Sequence, residues 1–211
     1  MIIMKIDSHH HFWKYDPQTY SWMNQQMDIL KVDYQPLDLE REISAAEIDG
    51  VVSVQADQSL RETDDLLNHA RLNDFILGVV GWLPLADANV RDLMDKYSDC
   101  SLLKGIRHVV QDEPDDNFIL GEEFNRGVSL LKEYNWAYDI LIYERQLSPS
   151  IQFVDRHPDQ VFVLDHIAKP RIRDSVIEPW KTHMYVIAKR ENVTCILSGI
   201  ATDGNWNEWK K

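Results

Sequence analysis

Apolar and β-branched residues gather in seven short runs: Ile2–Ile6, Val51–Val54, Ile76–Leu83, Leu102–Val110, Ala137–Tyr143, Val161–Leu164 and Val193–Leu197. Runs this continuous read as parallel strands covered on both faces. Between them the apolar spacing changes to that of helices. Leu37–Ile48 puts Leu39, Ile43 and Ala46 on one face, with Gly50 as its stop. Thr63–Leu72 groups Leu66, Leu67 and Ala70. Asp87–Tyr97 sets Val90, Leu93, Met94 and Tyr97 at the i, i+3, i+4, i+7 spacing of a buried face. Glu122–Tyr134 repeats this with Phe124, Val128 and Leu131, Gln146–Arg156 with Leu147, Ile151 and Val154, and Val176–Arg190 with Ile177, Trp180, Met184 and Ile187. The segment His11–Asp38, which holds Trp13, Tyr15, Tyr20 and Trp22, reads as a long loop.

Strands that alternate with helices in this way leave two α/β architectures, an open doubly wound sheet or a closed (β/α)8 barrel. A barrel needs eight strands and typically about 250 residues. This chain has 211 residues and seven strand runs. It is expected to form one domain over residues 1–211.

Composition narrows the function classes. A formal charge of −13, from 22 Lys and Arg against 35 Asp and Glu, disfavours nucleic acid and anionic membranes as partners. The two cysteines, Cys100 and Cys195, make neither a disulfide framework nor, alone, a zinc site. Both are expected to be inert, with Cys195 buried in its strand. The first residues meet charge too early for a signal peptide, and no run of about 18 apolar residues spans a membrane. The expectation is a soluble, cytoplasmic protein.

Candidate chemistry lies at the strand exits, where parallel α/β folds place their sites. In Ile6-Asp7-Ser8-His9-His10-His11-Phe12-Trp13, side chains alternate faces, so His9 and His11 share a direction that His10 does not. Two imidazoles at one strand end suit a divalent ion. His166, in Val163-Leu164-Asp165-His166-Ile167-Ala168-Lys169-Pro170, offers a third ligand or a general base. Pro170 is expected to hold Lys169 extended, aimed at the site or into solvent. In Lys104-Gly105-Ile106-Arg107-His108, neighbouring Arg107 and His108 cannot both point inward. An inward Arg107 would hold a carboxylate or oxyanion; equally it could pair with one of the many acids. Gln111 lies at the same strand exit. Gln55 and Asp57, with Asp139 and Tyr143, are weaker candidates. Trp13 and Trp82 offer an apolar wall for a sugar, or belong to the core. His69, His157 and His183 fall on helical patterns and are expected at the surface.

Several blocks, in order, carry a family resemblance: Ile6–Trp13, Val54-Gln55-Ala56, Val80-Gly81-Trp82, Lys104–Pro114, Leu164–Pro170 and Leu197-Ser198-Gly199. The chain resembles the amidohydrolase superfamily, in the branch that contains L-fuconolactone and L-rhamnonolactone hydrolases. The resemblance implies an incomplete (β/α)8 TIM barrel without its eighth strand, and hydrolysis of a sugar lactone to an aldonic acid. Carried over, His9, His11 and His166 become catalytic metal ligands, with zinc the expected ion, held weakly or even dispensable. Arg107 becomes a catalytic oxyanion partner. Arg107 and His108, with their block, line the substrate pocket, and Trp13, Gln55, Trp82, Tyr143 and Lys169 join them as substrate-binding candidates from their strand-end positions. Two departures accompany the resemblance. The eighth-strand aspartate of the family falls beyond this chain, and Ile196 stands where the family usually carries lysine before Leu-Ser-Gly. They raise an alternative class: a catalytically impaired remnant, or a chain that closes its gap by pairing with a second copy as a homodimer. An amidohydrolase-type decarboxylase, sharing the first-strand histidines, is the third reading.

Overall fold

The computed structural model of the chain describes residues 4–204. Seven strands run in chain order through one sheet, β1 (Ile6–His10), β2 (Gly50–Val54), β3 (Ile76–Gly81), β4 (Leu103–His108), β5 (Ala137–Ile140), β6 (Phe162–Leu164) and β7 (Val193–Cys195). The described residues form two compact units, one reaching to Leu83 and taking in Asp99–Gly105, the other holding Pro84–Ser98 and residues from Ile106 onward.

In the first unit, β1, β2 and β3 pair in parallel. Their pairing starts later than the apolar run suggests. The strand begins at Ile6 and includes Asp7, His9 and His10, with Ile6 opposite Gly50 and His10 opposite Ser53; residues 2 and 3 lie outside the described residues. Backbone pairing does not need apolar side chains, so the histidines extend the strand to its carboxyl end. Helix α1 (Pro36–Ala45) also ends earlier than expected. Glu47 turns left-handed at φ 54°, which breaks the helix, and Gly50 instead opens β2 hard against the Leu77 side chain. Helix α2 (Leu60–Leu72) starts where Ser59 Oγ accepts from the Glu62 amide at 3.2 Å. Leu66 and Leu67 on its inner face are each 1% exposed. Burying such side chains contributes roughly 1.5–3 kcal/mol apiece.

The expected long loop is organised. Trp13, Tyr20 and Met23 form a small apolar cluster. The Trp13 indole N–H donates to the carbonyls of Leu30 (3.0 Å) and Val32 (2.9 Å), and Trp13 bridges Tyr34 in antiparallel fashion. A 3-10 turn, Gln25–Leu30, lies between.

The second unit holds α3 (Val90–Tyr97), α4 (Glu122–Leu131), β5, α5 (Leu147–Arg156), β6, α6 (Trp180–Ile187), β7 and a short α7 (Ile200–Asp203). Val128 and Leu131 of α4, Leu147 and Val154 of α5 and Ile187 of α6 are buried as their spacing predicts, whereas Ile177 precedes α6 and is exposed. Phe124, Tyr138, Phe153 and Phe162 pack as a ring-edge cluster. His157 packs against Phe153 and Phe162 and bonds Asn125 Oδ1 at 2.9 Å. It, His69 and His183 are therefore half-buried rather than surface residues. Cys195 is exposed, not buried. Its strand β7 is the last in the order, so no described strand covers its outer edge.

Candidate active site

In the first unit, the carboxyl end of β1 sets two imidazoles face to edge. The Nε2 atoms of His9 and His11 lie 3.3 Å apart. Two nitrogens at about 2.0–2.1 Å from a tetrahedral zinc would lie about 3.3–3.4 Å apart. On its other side, His11 Nδ1 sits 2.8 Å from the Val54 carbonyl oxygen. A carbonyl only accepts, so Nδ1 carries the proton and Nε2 offers its lone pair. The donor set and its spacing therefore fit a divalent ion. His10 points elsewhere, as strand alternation requires: its Nε2 meets the buried Ser53 hydroxyl at 3.0 Å and its ring lies on Phe12. Burial holds the His10 pKa down at about 4, so that ring stays neutral.

Gln55 is fully buried just beyond β2, and Trp82 is half-buried just beyond β3. Trp13 belongs to the aromatic cluster, the core alternative open to it from sequence. It also borders a recess of about 240 Å³ with Tyr20, Asp57, Arg61 and His69. That recess does not include His9 or His11, so volume alone does not locate the chemistry.

In the second unit, the sequence around His166 adopts an unexpected backbone. His166, Ile167, Ala168 and Lys169 all have positive φ, between 46° and 56°. This is one turn of left-handed helix built without glycine, a conformation that costs roughly 1–2 kcal/mol per residue. Strain of this kind persists only where surrounding contacts enforce it. Here the Trp180 indole N–H donates to the Ile167 carbonyl at 2.7 Å, and the Lys169 amide donates to the His166 carbonyl at 2.9 Å. Lys169 is accordingly left-handed rather than extended before Pro170, because the turn's own contacts outweigh the local restriction. His166 Nδ1 lies 2.7 Å from Ser198 Oγ. Gly199, at φ 79°, lets the chain pass: a Cβ there would sit 3.1 Å from that of His166. Burial, with Lys169 and Arg107 nearby, lowers the His166 pKa to about 4.

Arg107 is buried and its Nη1 donates to Asp165 Oδ2 at 2.9 Å. Asp165 is the partner that sequence could not choose among 35 acids. Asp139 is buried on β5, and its desolvation, with the Asp165 charge, pushes its pKa well above the usual range. His108 turns the other way, bonding Glu113 at 2.7 Å and stacking on Phe118. Lys169 Nζ donates to Gln111 Oε1 and lies over the Tyr143 ring, 5.2 Å from its centre.

The sequence matches the amidohydrolase family over residues 6–210. This chain belongs to that family. An L-fucono-1,5-lactonase of Burkholderia multivorans is 34% identical over 209 residues, covering 96% of this chain and 70% of the relative. A second, from Burkholderia ambifaria, is 31% identical, covering 94% and 69%. The crystal structure of an amidohydrolase from Burkholderia multivorans with bound zinc superposes with a TM-score of 0.93 at 33% identity, over 99% of this chain and 74% of that one. The fold class is thus that of the TIM-barrel amidohydrolases, with seven of the barrel's parallel strands among the described residues. A dihydroxybenzoic acid decarboxylase from Polaromonas, with bound manganese, has a TM-score of 0.59 at 11% identity, covering 92% and 78%; it shares the fold alone.

Proposed function

We propose that this chain hydrolyses a sugar lactone to its aldonic acid, with L-fucono-1,5-lactone the first substrate to test, and that His9 and His11 hold a divalent ion, zinc in the first instance. The observation that carries the reading is the 3.3 Å pair of imidazole nitrogens, one of them fixed in its tautomer by the Val54 carbonyl. The two lactonase relatives support the reaction class. The zinc-bound relative supports the ion.

Such an ion supplies Lewis acidity toward a carbonyl oxygen and eases deprotonation of water. The chain's own residues prepare the rest. Ser198 Oγ engages Nδ1 of His166 at 2.7 Å and so fixes the position of that ring. The low pKa of His166 keeps the ring uncharged at neutral pH. Asp165 neutralises Arg107, so the buried guanidinium serves as a fixed brace beside the strained turn. In the reaction, water oxygen bonds to the acyl carbon, the ring acyl C–O bond breaks, and one proton passes to the departing ring oxygen. Lys169 and Tyr143 supply polar and aromatic surface for the hydroxylated ring.

A pH-indicator assay of the folded, zinc-supplied chain against a panel of sugar lactones tests the proposal. Acid release from at least one lactone, above its spontaneous rate, is expected. No turnover of any lactone by well-folded protein would remove the reading, and carbon dioxide release from a hydroxybenzoate would replace it.

A further inference from the structure

Among the described residues, the second unit holds a cation with no carboxylate at ion-pair distance. Its neighbours are matched: Arg107 with Asp165 at 2.9 Å, and Arg145 with Asp116 at 2.7 Å. Lys169, half-buried, has one hydrogen-bond acceptor among the described residues, the Gln111 carboxamide oxygen, and no carboxylate at ion-pair distance. Asp203, Asp112 and Asp165 act on it only through space. Drawing an ammonium out of water is costly unless an anion or further acceptors complete its shell. Of its three N–H donors, one serves Gln111. Gln111, its oxygen engaged, presents an NH2 group with no partner among the described residues. The backbone of Gln111 is pinned by its amide to the Leu141 carbonyl (3.0 Å) and by Arg145 to its own carbonyl (3.2 Å). Lys169 is pinned by the left-handed turn. Tyr143 lies between two cations, with the Arg145 guanidinium 4.9 Å from its ring centre. The group is rich in donors, poor in acceptors and rigidly mounted.

We propose that Lys169 and Gln111 form a carboxylate subsite that takes the ring-opened polyhydroxy acid, so that the product is held by a charge interaction its neutral lactone lacks. The inference rests on the lactone reading above. Carboxylate oxygens would accept from Nζ of Lys169 and from the Gln111 NH2, while the Tyr143 face meets the carbon chain. Product inhibition follows directly.

Isothermal titration calorimetry on the full chain, at equal metal content, tests this with L-fuconate, neutral L-fucose, acetate and inorganic phosphate. Wild type is expected to bind L-fuconate more tightly than the other three. Lys169→Gln is expected to weaken L-fuconate at least tenfold and neutral L-fucose by a clearly smaller factor, and Gln111→Leu to weaken L-fuconate about threefold. Lys169→Arg restores part of the loss. Wild-type affinity for L-fuconate in Lys169→Gln overturns the proposal. So does phosphate binding as tightly as L-fuconate with the same lysine dependence, which would mark an adventitious anion only. If Lys169→Gln fails to fold, salt decides on the wild type: L-fuconate affinity that does not fall between low and high salt overturns the subsite. Lysine-dependent L-fuconate binding by a chain that opens no lactone would keep the subsite and discard the reaction. Lactone turnover without such binding would do the reverse.

Discussion

At the scale of single residues, the site is built from groups whose partners decide what they can do. Arg107 and Asp165 are almost fully buried and 2.9 Å apart, so each neutralises the other. Arg107→Met would leave a buried carboxylate without its guanidinium, and removal of one partner of a buried pair costs about 3–5 kcal/mol. Urea unfolding is expected to show a loss of that order. An unchanged midpoint would mean that the pair is solvated. His108 provides a pH test. Burial lowers its pKa and Glu113 opposes that shift only in part. Its folded pKa lies below the ordinary 6.5, so its contribution to stability is present above pH 6.5 and is lost as pH falls through the folded value. His108→Gln is expected to flatten the stability profile on the acid side of pH 6.5, leaving the slope above it alone. An unaltered acid slope would assign the titration to another group. Sequence made part of this legible. The shared direction of His9 and His11 follows from strand alternation, and the 3.3 Å contact agrees. The partner of Arg107 did not follow, because pairing across 58 positions is a tertiary fact with no local signature.

At the scale of elements, apolar spacing located α1 to α6 to within a few residues and every strand but the first, and it missed the short α7. What else it missed came from backbone conformation. Gly50 looked like a helix stop, yet the left-handed residue is the exposed Glu47, whose amide donates to the Ser44 carbonyl and whose carboxylate accepts from Lys5 in an exposed 3.3 Å ion pair. Exposed pairs of this kind contribute about 0–1 kcal/mol. A left-handed position favours glycine by about 1–2 kcal/mol on strain alone, offset by roughly 0.5–1 kcal/mol of chain entropy. Glu47→Gly is therefore expected to leave stability equal or raise it by up to about 1 kcal/mol, seen as a higher urea midpoint. A clear loss would show that the ion pair matters more than the backbone. The turn His166–Lys169 escaped sequence reading for a related reason. No glycine marks it, and the Pro170 rule points to an extended Lys169; the Trp180 hydrogen bond and the passage of Gly199 are contacts that only the fold supplies.

At the scale of the whole molecule, the chain's charge of −13 bears on ligand traffic. A net negative charge of this size attracts divalent cations over long range, which favours metal loading. No helix among the described residues is long and apolar enough to cross a membrane. The amidohydrolase membership, the seven parallel strands and the imidazole pair at the end of the first strand all bear on one claim, that this pair is built to hold a metal. Equilibrium dialysis against zinc, with metal counted per chain in wild type, His9→Ala and His11→Ala, tests it most directly. Wild type is expected to bind one ion per chain, and each variant to bind it at least tenfold more weakly while staying folded. Equal zinc content in all three proteins would contradict the account.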